Sequence, residues 1–340
     1  MKNQKKPKRK IFFIIFGILI FLFLVLAVVY GVWKSYYNKS NYIKDEDVSI
    51  YYEDQTTQEG STEESTENST LSEEDAAKLE SELAELDHVD TANSNEVYNI
   101  LLIGSDRRDT SWYGNSDSMI LISVNESKKK IYMTSFMRDL YVVIPNIGAR
   151  KLNSAYARGA GPLLVQTLEE NFKIDINNYA SVDFTSMSQL IDLVGGVDLE
   201  LYQEEADYLN NSIGTNFTAG MVHMNGEQAL AFSRIRYVGY YDYERTSRQR
   251  RILEQVVLKS RQLDLGQLND LVNNALPLIS HNIPAGELAG KLLKIPEWIQ
   301  YEIVQDRVPY DGLYSYLGQD IVPNYAETIQ RLHNTIYGEE

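Results

Sequence analysis

The sequence contains no cysteine and only four histidines among 340 residues. Without cysteine, the chain has no disulfides and no thiol nucleophile. The histidines (His88, His223, His281 and His333) form no pair with the spacing of metal ligands, and no serine stands in the glycine-flanked turn of a serine hydrolase. A phosphate-binding P-loop is missing too. These absences disfavour nucleophilic catalysis by the protein itself and leave carboxylates, arginines and a bound cation to carry any chemistry.

One long hydrophobic run stands near the N-terminus. Ile11–Trp33 is a stretch of 23 residues without a charge, and as a helix it would be about 34 Å long, enough to cross a bilayer. The run is too long for a typical secretory signal and no clear cleavage site follows, which favours a retained anchor over a cleaved signal. Six cations within residues 1–10 predict a cytoplasmic basic tail. We expect a single-pass cell-membrane protein of a Gram-positive-type bacterium, with all later residues outside the cell.

The formal net charge of −16 is concentrated in one segment. Residues 44–90 contain 17 acids and two bases, while the rest of the chain holds 31 acids and 30 bases. Residues 34–94 are therefore predicted to be an acidic, mostly disordered linker. One helix is expected near 72–88, where Ser72 can cap the first turn. The domain that follows, residues 95–338, is expected outside the cell, which excludes nucleic acid as its partner.

Strand and helix patterns alternate within residues 95–338. Apolar runs predict strands at Val97–Ile103, Ser118–Val124, Lys130–Phe136, Tyr141–Ile144 and Val197–Leu201. Helical periodicity and capping signals predict helices at about Gly161–Phe172, Thr185–Val194, Glu227–Phe232 and Arg245–Gln262, and Ser233–Arg236 is expected to be extended. We therefore expect an α/β fold in which a mixed central β-sheet is sandwiched by helices.

Two aspartates stand at the ends of predicted strands. Asp106 follows the first buried strand, where open α/β sheets place their ligands, and Asp117 comes just before the next strand. If the intervening segment turns back, both carboxylates lie at one edge of the sheet and suit Mg²⁺ completed by water and phosphate oxygens. The alternative is that each aspartate caps a turn, because glycine, asparagine and serine surround both.

An arginine ends the third predicted strand. Arg138 must face a ligand or be paired, because burying an unpaired charge costs several kcal/mol. Its neighbour Asp139 offers a local salt bridge, which is the alternative to a role in binding. Lys151 could add a second cation to the same region.

Two arginine pairs follow later in the chain. Arg234 and Arg236 alternate on a segment expected to be extended, so both should point to one face. Arg245 and Arg248 are three residues apart near a helix start and share a helix face, with Gln249 beside them. Planar guanidinium groups near a helix N-terminus predict a cradle for several adjacent negative charges, such as a diphosphate; a solvated basic face is the alternative. The tyrosines between the pairs could stack on sugar rings: Tyr237, Tyr240, Tyr241 and Tyr243.

The order of these motifs resembles the LytR–CpsA–Psr family of membrane-anchored bacterial cell-wall proteins. The likeness covers about 98–251 and rests on Asn99-Ile-Leu-Leu-Ile-Gly-Ser-Asp106, Ser116-Asp-Ser118, Met137-Arg-Asp139, Lys151-Leu-Asn-Ser-Ala-Tyr156, Arg234-Ile-Arg236 and Arg245-x-x-Arg-Gln249. The resemblance implies a phosphotransferase that moves an anionic glycopolymer (teichoic acid, capsule or similar) from a polyprenyl-diphosphate carrier to peptidoglycan. It also implies an apolar pocket for the prenyl chain.

The resemblance also implies roles by position. Asp106 and Asp117 would hold Mg²⁺ (or Mn²⁺) on the diphosphate. The catalytic set would be Arg138, Asp139, Arg234, Arg236 and Arg245, in which the arginines bind diphosphate oxygens and Asp139 either orients Arg138 or takes the acceptor proton. Further substrate contacts are expected from Arg108, Lys151, Arg248 and Gln249.

This chain departs from the family pattern in two places. Asn115 stands where the family often has arginine, so that one phosphate contact is missing or comes from Arg107 or Arg108. Met137 replaces the proline that usually precedes the Arg-Asp pair. Two other functions stay open: a non-catalytic scaffold that binds wall glycan, and a lipid diphosphate hydrolase that accepts water instead of a sugar hydroxyl. A transcriptional attenuator is disfavoured, because the folded domain is expected outside the cell.

Overall fold

The computed structural model of the protein describes residues 31, 33–52, 72–107, 113–236, 238–239 and 242–338. No helix within these ranges is long and apolar enough to cross a membrane. Apart from Gly31 and Trp33, the predicted anchor and the basic tail before it lie outside the described residues.

The strands and helices are numbered here in chain order. The strands are β1 (Asn41–Tyr42), β2 (Val97–Ser105), β3 (Ser116–Asn125), β4 (Lys130–Phe136), β5 (Tyr141–Ile144), β6 (Gly148–Lys151), β7 (Asn178–Asp183), β8 (Val197–Leu201), β9 (Gly220–Met224), β10 (Ser280–His281), β11 (Glu302–Val308), β12 (Tyr314–Leu317) and β13 (Asp320–Pro323). The helices are α1 (Glu73–Glu85), α2 (Asn153–Phe172), α3 (Phe184–Leu193), α4 (Gln203–Ile213), α5 (Gly226–Ser233), α6 (Asp242–Ser260), α7 (Leu265–Ala275), α8 (Ala285–Trp298) and α9 (Tyr325–Ile336). Short 3₁₀ turns occur at Asp45–Asp47 and Leu276–Leu278.

A mixed sheet forms the centre of the fold. Its strand order in the described part of the chain is β1-β10-β7-β2-β3-β4-β11. β2 pairs antiparallel with β3 and β3 with β4, whereas β7 runs parallel to β2 and β11 runs parallel to β4. The hairpins β5–β6, β8–β9 and β12–β13 stand apart from it. The predicted mixed central sheet is confirmed.

Apolar side chains bury both faces of this sheet. Leu101 and Ile103 of β2 lie in one core with side chains of α2 and α9. Ile120 and Met133 lie in a second core with Trp298 of α8, against which α6 also packs. Successive residues of a strand point to opposite faces, so the near-continuous apolar runs of β2 and β3 are expected for a sheet covered on both sides.

A third core lies beside the sheet. It combines the β8–β9 hairpin with α4, α5 and the inner side of α6, through residues such as Val197, Leu209, Phe232 and Ile252. Its importance for the site is that it carries the segment between α5 and α6, which contains Arg234 and Arg236.

The strand ends meet at one edge of the sheet, which we call the site edge. β2, β4 and β7 end there and β3 begins there. Ser105 at the end of β2 pairs with both Ser116 of β3 and Asp183 of β7, and Ser135 near the end of β4 pairs with Ile120 of β3. Residues that directly follow β2, β4 and β7 are therefore brought to the same edge.

Most predicted elements are confirmed. The strands predicted at Lys130–Phe136, Tyr141–Ile144 and Val197–Leu201 have the predicted ends, and α1 begins at the expected cap, where Ser72 accepts a hydrogen bond from the Asp75 amide. Helix α2 starts earlier than predicted, and it is kinked where Gly159 and Ala160 leave helical geometry.

Residues 34–52 belong to the folded unit, although they were expected to lie in a mostly disordered linker over residues 34–94. β1 pairs with β10, the Tyr51 amide donates to the Arg158 carbonyl at 2.7 Å, and the Tyr37 ring lies against His281. The prediction of disorder was based on the average composition of the whole linker, in which acidic and hydroxyl residues outnumber the aromatic ones. The aromatic character of this short segment was therefore not recognised. The aromatic side chains of this short stretch supply the apolar surface that holds it in place.

Candidate functional site

Asp106 and Asp117 lie together at the site edge, as predicted. Asp106 directly follows β2, Asp117 is the second residue of β3, and the two strands are paired at Ser105 and Ser116. The Asn115 amide donates to Asp106 Oδ1 at 2.8 Å, and the Asp106 amide donates to the Asn115 carbonyl at 3.2 Å. Two carboxylates are thereby fixed on neighbouring strands.

Asp117 is the centre of a cluster of cationic and amide side chains. Its Oδ1 atom lies 3.3 Å from Arg138 Nη1 and 3.8 Å from Arg245 Nη1. Its backbone carbonyl accepts hydrogen bonds from Arg245 Nη2 at 2.9 Å and from Gln249 Nε2 at 3.5 Å. The structure therefore brings together Arg138, Arg245 and Gln249, which stand far apart in the sequence. Arg245 is buried and Arg138 is partly exposed. A ligand at this edge could therefore contact Arg245 on its inner side and Arg138 nearer the surface.

A second chain of charges lies beside Arg138. Arg138 Nε approaches Asp139 Oδ2 at 3.4 Å, Lys151 Nζ lies 3.3 Å from Asp139 Oδ1, and Lys151 also lies 3.7 Å from Asp320 Oδ1. The local salt bridge that the sequence offered as an alternative is thus present, but Arg138 contacts Asp117 as well. Asp320 is fully buried at the start of β13 and was not a candidate from the sequence. It follows a glycine-containing turn near the C-terminus, and no sequence signal connects it to Lys151.

Tyr156 closes the inner side of the site edge. It is buried on α2, and its hydroxyl is hydrogen-bonded to Ser181 and Ser105. Burial raises the pKa of Tyr156, and these hydrogen bonds and Arg107 offset only part of that effect. The side chain therefore stays a neutral phenol at physiological pH. The Lys151–Tyr156 motif consequently places both a cation and a phenol at the site.

The first arginine pair is arranged differently from the prediction. Helix α5 continues through Ser233, and Arg234 has helical dihedral angles of −98° and 0°, so the expected extended geometry is wrong at these two residues. The Arg234 guanidinium lies 4.4 Å from the ring centroid of Phe184. Phe184 directly follows β7, which ends at the site edge. Arg234 therefore reaches the site edge from the α5 side, and Arg236 follows two residues later, beyond the buried Ile235.

Arg248 is a structural residue, which corrects its expected role in substrate binding. Its Nε donates to Glu205 Oε1 at 2.7 Å, its Nη1 donates to the Ile235 carbonyl at 3.1 Å, and its Nη2 donates to the Val238 carbonyl at 2.9 Å. The side chain is almost fully buried in the third core. The three-residue spacing predicted that Arg245 and Arg248 share one face of the helix. In the structure Arg245 contacts Asp117 at the site edge, whereas Arg248 contacts Glu205 in the third core. The two guanidinium groups therefore have different partners.

The other arginines of α6 also divide between partners. Arg250 is buried and donates to Ser135 Oγ at 2.7 Å and to Gln305 Oε1 at 3.2 Å. Burial lowers the pKa of Arg250 to about 10, so this guanidinium is still charged at neutral pH. Arg251 pairs with Glu205 and with the Glu200 carbonyl. The basic run from Arg245 to Arg251 is therefore neither one cradle nor a solvated face, and only Arg245 and Gln249 contact Asp117.

Some predicted residues lie outside the described ranges. These are Arg108, Tyr237, Tyr240 and Tyr241. Tyr243 is described, and its hydroxyl is 3.0 Å from that of Tyr316 while Arg307 lies 4.2 Å from its ring centroid.

The donor set of the site fits a magnesium ion held by few protein ligands. The described residues contain no group of three or more histidine, cysteine, aspartate or glutamate side chains that could hold a metal. Mg²⁺ is commonly bound through one or two carboxylates, with water and substrate phosphates completing an octahedron. Asp106 and Asp117 offer that number of carboxylates at the ends of neighbouring strands, so the residues present suit a cation whose other ligands are water and phosphate oxygens.

The geometry agrees with a comparison to known families. The profile of the LytR_cpsA_psr family matches residues 55–334. This chain belongs to the LytR–CpsA–Psr family. The matched range includes every predicted site residue, from Asp106 to Gln249, together with Asp320.

Individual family members are similar over part of their length. The polyisoprenyl-teichoic acid–peptidoglycan teichoic acid transferase TagU of Enterococcus faecalis is 37% identical over 176 residues, which cover 49% of this chain and 55% of that protein. The biofilm regulatory protein A of Streptococcus mutans is 36% identical over 197 residues, covering 52% of this chain and 47% of that protein. The chain thus spans about half the length of these curated relatives.

A solved structure of the family has the same fold. The LytR-CPS2A-psr family protein YwtF (TagT) with bound octaprenyl pyrophosphate lipid superposes with a TM-score of 0.55 at 20% identity, over 74% of this chain and 95% of that one. Both have a mixed sheet flanked by helices, so the fold class is that of the LytR–CpsA–Psr family.

Proposed function

We propose that this protein is a phosphotransferase that attaches an anionic glycopolymer (teichoic acid, capsule or similar) to peptidoglycan, using a polyprenyl-diphosphate-linked donor. The observation that carries the proposal is the convergence of Arg138, Arg245 and Gln249 on Asp117 at the site edge. The name of the TagU relative and the octaprenyl pyrophosphate in the TagT structure support the same substrate class.

The arginines of the site edge bind the diphosphate. Asp117 holds the guanidinium groups of Arg138 and Arg245 next to each other, so both can donate charge-assisted hydrogen bonds to one phosphoryl group. Arg234 and Arg236 approach from the α5 side and serve the other phosphate. The planar forks of arginine suit phosphate oxygens better than a lysine ammonium does. Lys151 acts mainly through its carboxylate partners, because it is buried between Asp139 and Asp320.

Asp106 and Asp117 would hold Mg²⁺ (or Mn²⁺) where the diphosphate binds. When bound, such a cation neutralises charge on the phosphate oxygens and helps to orient the leaving group. The hydrogen bond from the Asn115 amide fixes Asp106, and the arginines fix Asp117. Both carboxylates are thus held in position before the substrate arrives.

The transfer step breaks the phosphoanhydride bond of the donor and forms a phosphodiester bond to the acceptor. A hydroxyl oxygen of peptidoglycan attacks the phosphorus that carries the glycopolymer, and the bond from this phosphorus to the bridging oxygen breaks. The bridging oxygen leaves with polyprenyl phosphate, and the hydroxyl proton passes to solvent or to the leaving phosphate. Arg138 and Arg245 stabilise the charge that develops on the transferred group.

Asp139 has the contacts of an orienting residue. Its Oδ2 atom faces Arg138 Nε and its Oδ1 atom faces Lys151 Nζ. Both oxygens are engaged with cations that the fold holds in place, which favours orientation of Arg138 over direct acceptance of the acceptor proton.

The reaction is assigned to the outer face of the cytoplasmic membrane. Ile11–Trp33 would anchor the chain as a single span, with residues 1–10 in the cytoplasm and the domain from residue 95 onward outside. Both the lipid-linked donor and the peptidoglycan acceptor would be reached there.

A reconstituted transfer assay tests the proposal. The full chain in vesicles receives a polyprenyl-diphosphate-linked glycopolymer, Mg²⁺ and peptidoglycan, and both released polyprenyl phosphate and peptidoglycan-bound polymer are measured. We expect both products together, and we expect Arg138→Ala to lower the rate by about 100-fold or more. Arg331→Ala is the matched control, because Arg331 packs on Tyr310 and contacts none of the site residues named above.

The assay separates the alternatives. Release of polyprenyl phosphate that does not require peptidoglycan would indicate a hydrolase. Binding of the glycan without either product would indicate a scaffold. Full transfer by Arg138→Ala would contradict the role assigned to this arginine.

A further inference from the structure

Helix α7 is amphipathic, yet none of its side chains is buried. Its apolar residues are Leu265, Leu268, Leu271 and Val272, which recur at helical spacing. Leu265 is 78% exposed. Leu268, Leu271 and Val272 are half-buried, and Val272 packs against a buried cluster of the fold. Since a surface helix normally gains its stability by burying such a stripe, the strongly exposed Leu265 end is a candidate for contact with something outside the described fold.

Helix α8 extends the same apolar surface. Leu292 and Ile295 line a groove of about 230 Å³ together with Leu268 and Val272 of α7. The α7–α8 face, as we call the surface formed by Leu265, Leu268, Val272, Leu292 and Ile295, thus combines an open apolar groove with the strongly exposed Leu265.

The N-terminal segment leads directly to this face. Trp33 and Tyr36 line the groove, and Trp33 is the last residue of the uncharged run that starts at Ile11. The Tyr36 hydroxyl donates to Asn269 Oδ1 at 2.9 Å, and Lys39 Nζ donates to Asn273 Oδ1 at 2.8 Å. The chain that follows the predicted membrane span is therefore fastened along α7.

We infer that the α7–α8 face rests on the outer surface of the lipid bilayer. Amphipathic helices at a membrane lie in the interface plane with their apolar side about 5–10 Å deep. Tryptophan and tyrosine prefer the same depth, which suits Trp33 and Tyr36. Lys34, between these two residues, and Lys39, three residues after Tyr36, can contact anionic headgroups. A second copy of the chain fits this face less well, because the face is continuous with the segment that enters the membrane.

The contact would set the orientation of the site. Helix α7 packs against α3, and α3 begins at Phe184, directly after β7 ends at the site edge. A domain fastened at α7 and α8 as well as at its anchor cannot rotate freely about a single linker. The site edge would then be held at a fixed height above the lipid in which the donor substrate is embedded.

The absence of cysteine allows a direct test with single labels. Leu265→Cys and Leu268→Cys are each labelled with an environment-sensitive fluorophore in the full chain, which is reconstituted in vesicles of phosphatidylglycerol and phosphatidylcholine. Lipids brominated close to the headgroup serve as the quencher. We expect both labels to lose fluorescence in brominated vesicles. Met221→Cys is the matched control, because Met221 is a 67% exposed apolar residue on the distant β8–β9 hairpin, and its label should be unaffected.

Three results would overturn the inference. Equal fluorescence of the Leu265 label in brominated and ordinary vesicles, with the protein retained in the membrane after carbonate extraction, would place the face away from the lipid. Efficient disulfide formation between Leu265→Cys copies without quenching would assign the face to a dimer instead. Loss of the protein on carbonate extraction would remove the anchor on which the inference depends. The transfer reaction is not measured in this test, so its outcome is independent of the proposed activity.

Discussion

The Arg248 guanidinium and the Glu205 carboxylate form an ion pair in which Nε lies 2.7 Å from Oε1, and both side chains are at most 2% exposed. The same guanidinium holds the carbonyls of Ile235 and Val238. These carbonyls flank Arg236, so the pair fixes the segment that carries the first arginine pair. Arg248 thus supports the site from behind, without contacting Asp117 in the way that Arg245 does.

Removing one partner of this pair should destabilise the protein strongly. Arg248→Ala leaves the Glu205 charge buried and two carbonyls without their donor, which should lower the free energy of unfolding by about 3–5 kcal/mol. Urea denaturation followed by circular dichroism measures this loss. The control is Arg251→Ala, which removes a 22% exposed arginine from the same carboxylate and should cost about 1 kcal/mol or less. An Arg248→Ala variant with unchanged stability and no transfer activity would support a substrate contact instead.

Asp117→Asn should abolish most activity and spare the fold. The substitution removes the charge that holds Arg138 and Arg245 and that would bind the cation, while the Asp117 carbonyl still accepts from Arg245. We expect a transfer rate lower by about 100-fold to 1,000-fold and a melting temperature close to that of the wild type. Asp183→Asn is the control, since Asp183 caps α3 at the same edge and asparagine caps a helix equally well. Equal activity losses in the two variants would argue against a special role of Asp117.

Asn115→Arg should strengthen binding of a diphosphate. The Asn115 backbone makes both hydrogen bonds to Asp106, so the side chain can be replaced without breaking them. An added charge-assisted contact of about 1.4 kcal/mol would tighten binding about tenfold. Isothermal titration with a short-chain prenyl diphosphate in the presence of Mg²⁺ measures this, with Asn115→Gln as the neutral control. Unchanged or weaker binding by Asn115→Arg would show that position 115 does not face the diphosphate.

Stability should fall as the pH drops through the range in which histidine titrates. Burial lowers the pKa of His281 below its usual 6.5, so below about pH 6.5 the unfolded chain binds a proton that the folded protein does not. Stability therefore rises with pH through this window and is lost on acidification. His281 Nδ1 accepts a hydrogen bond from the Ile283 amide at 3.1 Å, which protonation would remove.

The substitution His281→Asn isolates this contribution. Asparagine keeps an acceptor near the Ile283 amide but does not titrate. Urea unfolding at about pH 7.5 and pH 5.5 should show a smaller loss for His281→Asn than for the wild type. Identical losses would assign the pH dependence to other groups, such as the partly buried His333, whose pKa burial also lowers.

The sequence was sufficient for the parts of the site that depend on strand ends. Asp106 follows one strand and Asp117 lies at the start of the next. Because these two strands pair antiparallel, both carboxylates must lie at the same edge of the sheet. Arg138 follows a strand in the same sheet, so its position was implied once the strand was recognised. Apolar runs and turns are formed by residues that are neighbours in the chain, so they can be recognised from the sequence alone.

The partners of buried charges could not be predicted in this way. Arg248 resembles Arg245 in residue type and spacing, and only the packing of α4 against α5 brings Glu205 to it. Asp320 meets Lys151 across 169 positions of sequence because β12–β13 packs beside β5. Such pairings are set by tertiary contacts between distant elements, and no pattern within either segment records them.

The most direct test of the account is a crystal structure of the protein with a short-chain prenyl diphosphate and Mg²⁺. The account predicts diphosphate oxygens at hydrogen-bonding distance, about 2.7–3.2 Å, from the guanidinium groups of both Arg138 and Arg245, with the cation between Asp106 and Asp117. A diphosphate bound elsewhere, with Arg138 and Arg245 still paired only to Asp117, would contradict it.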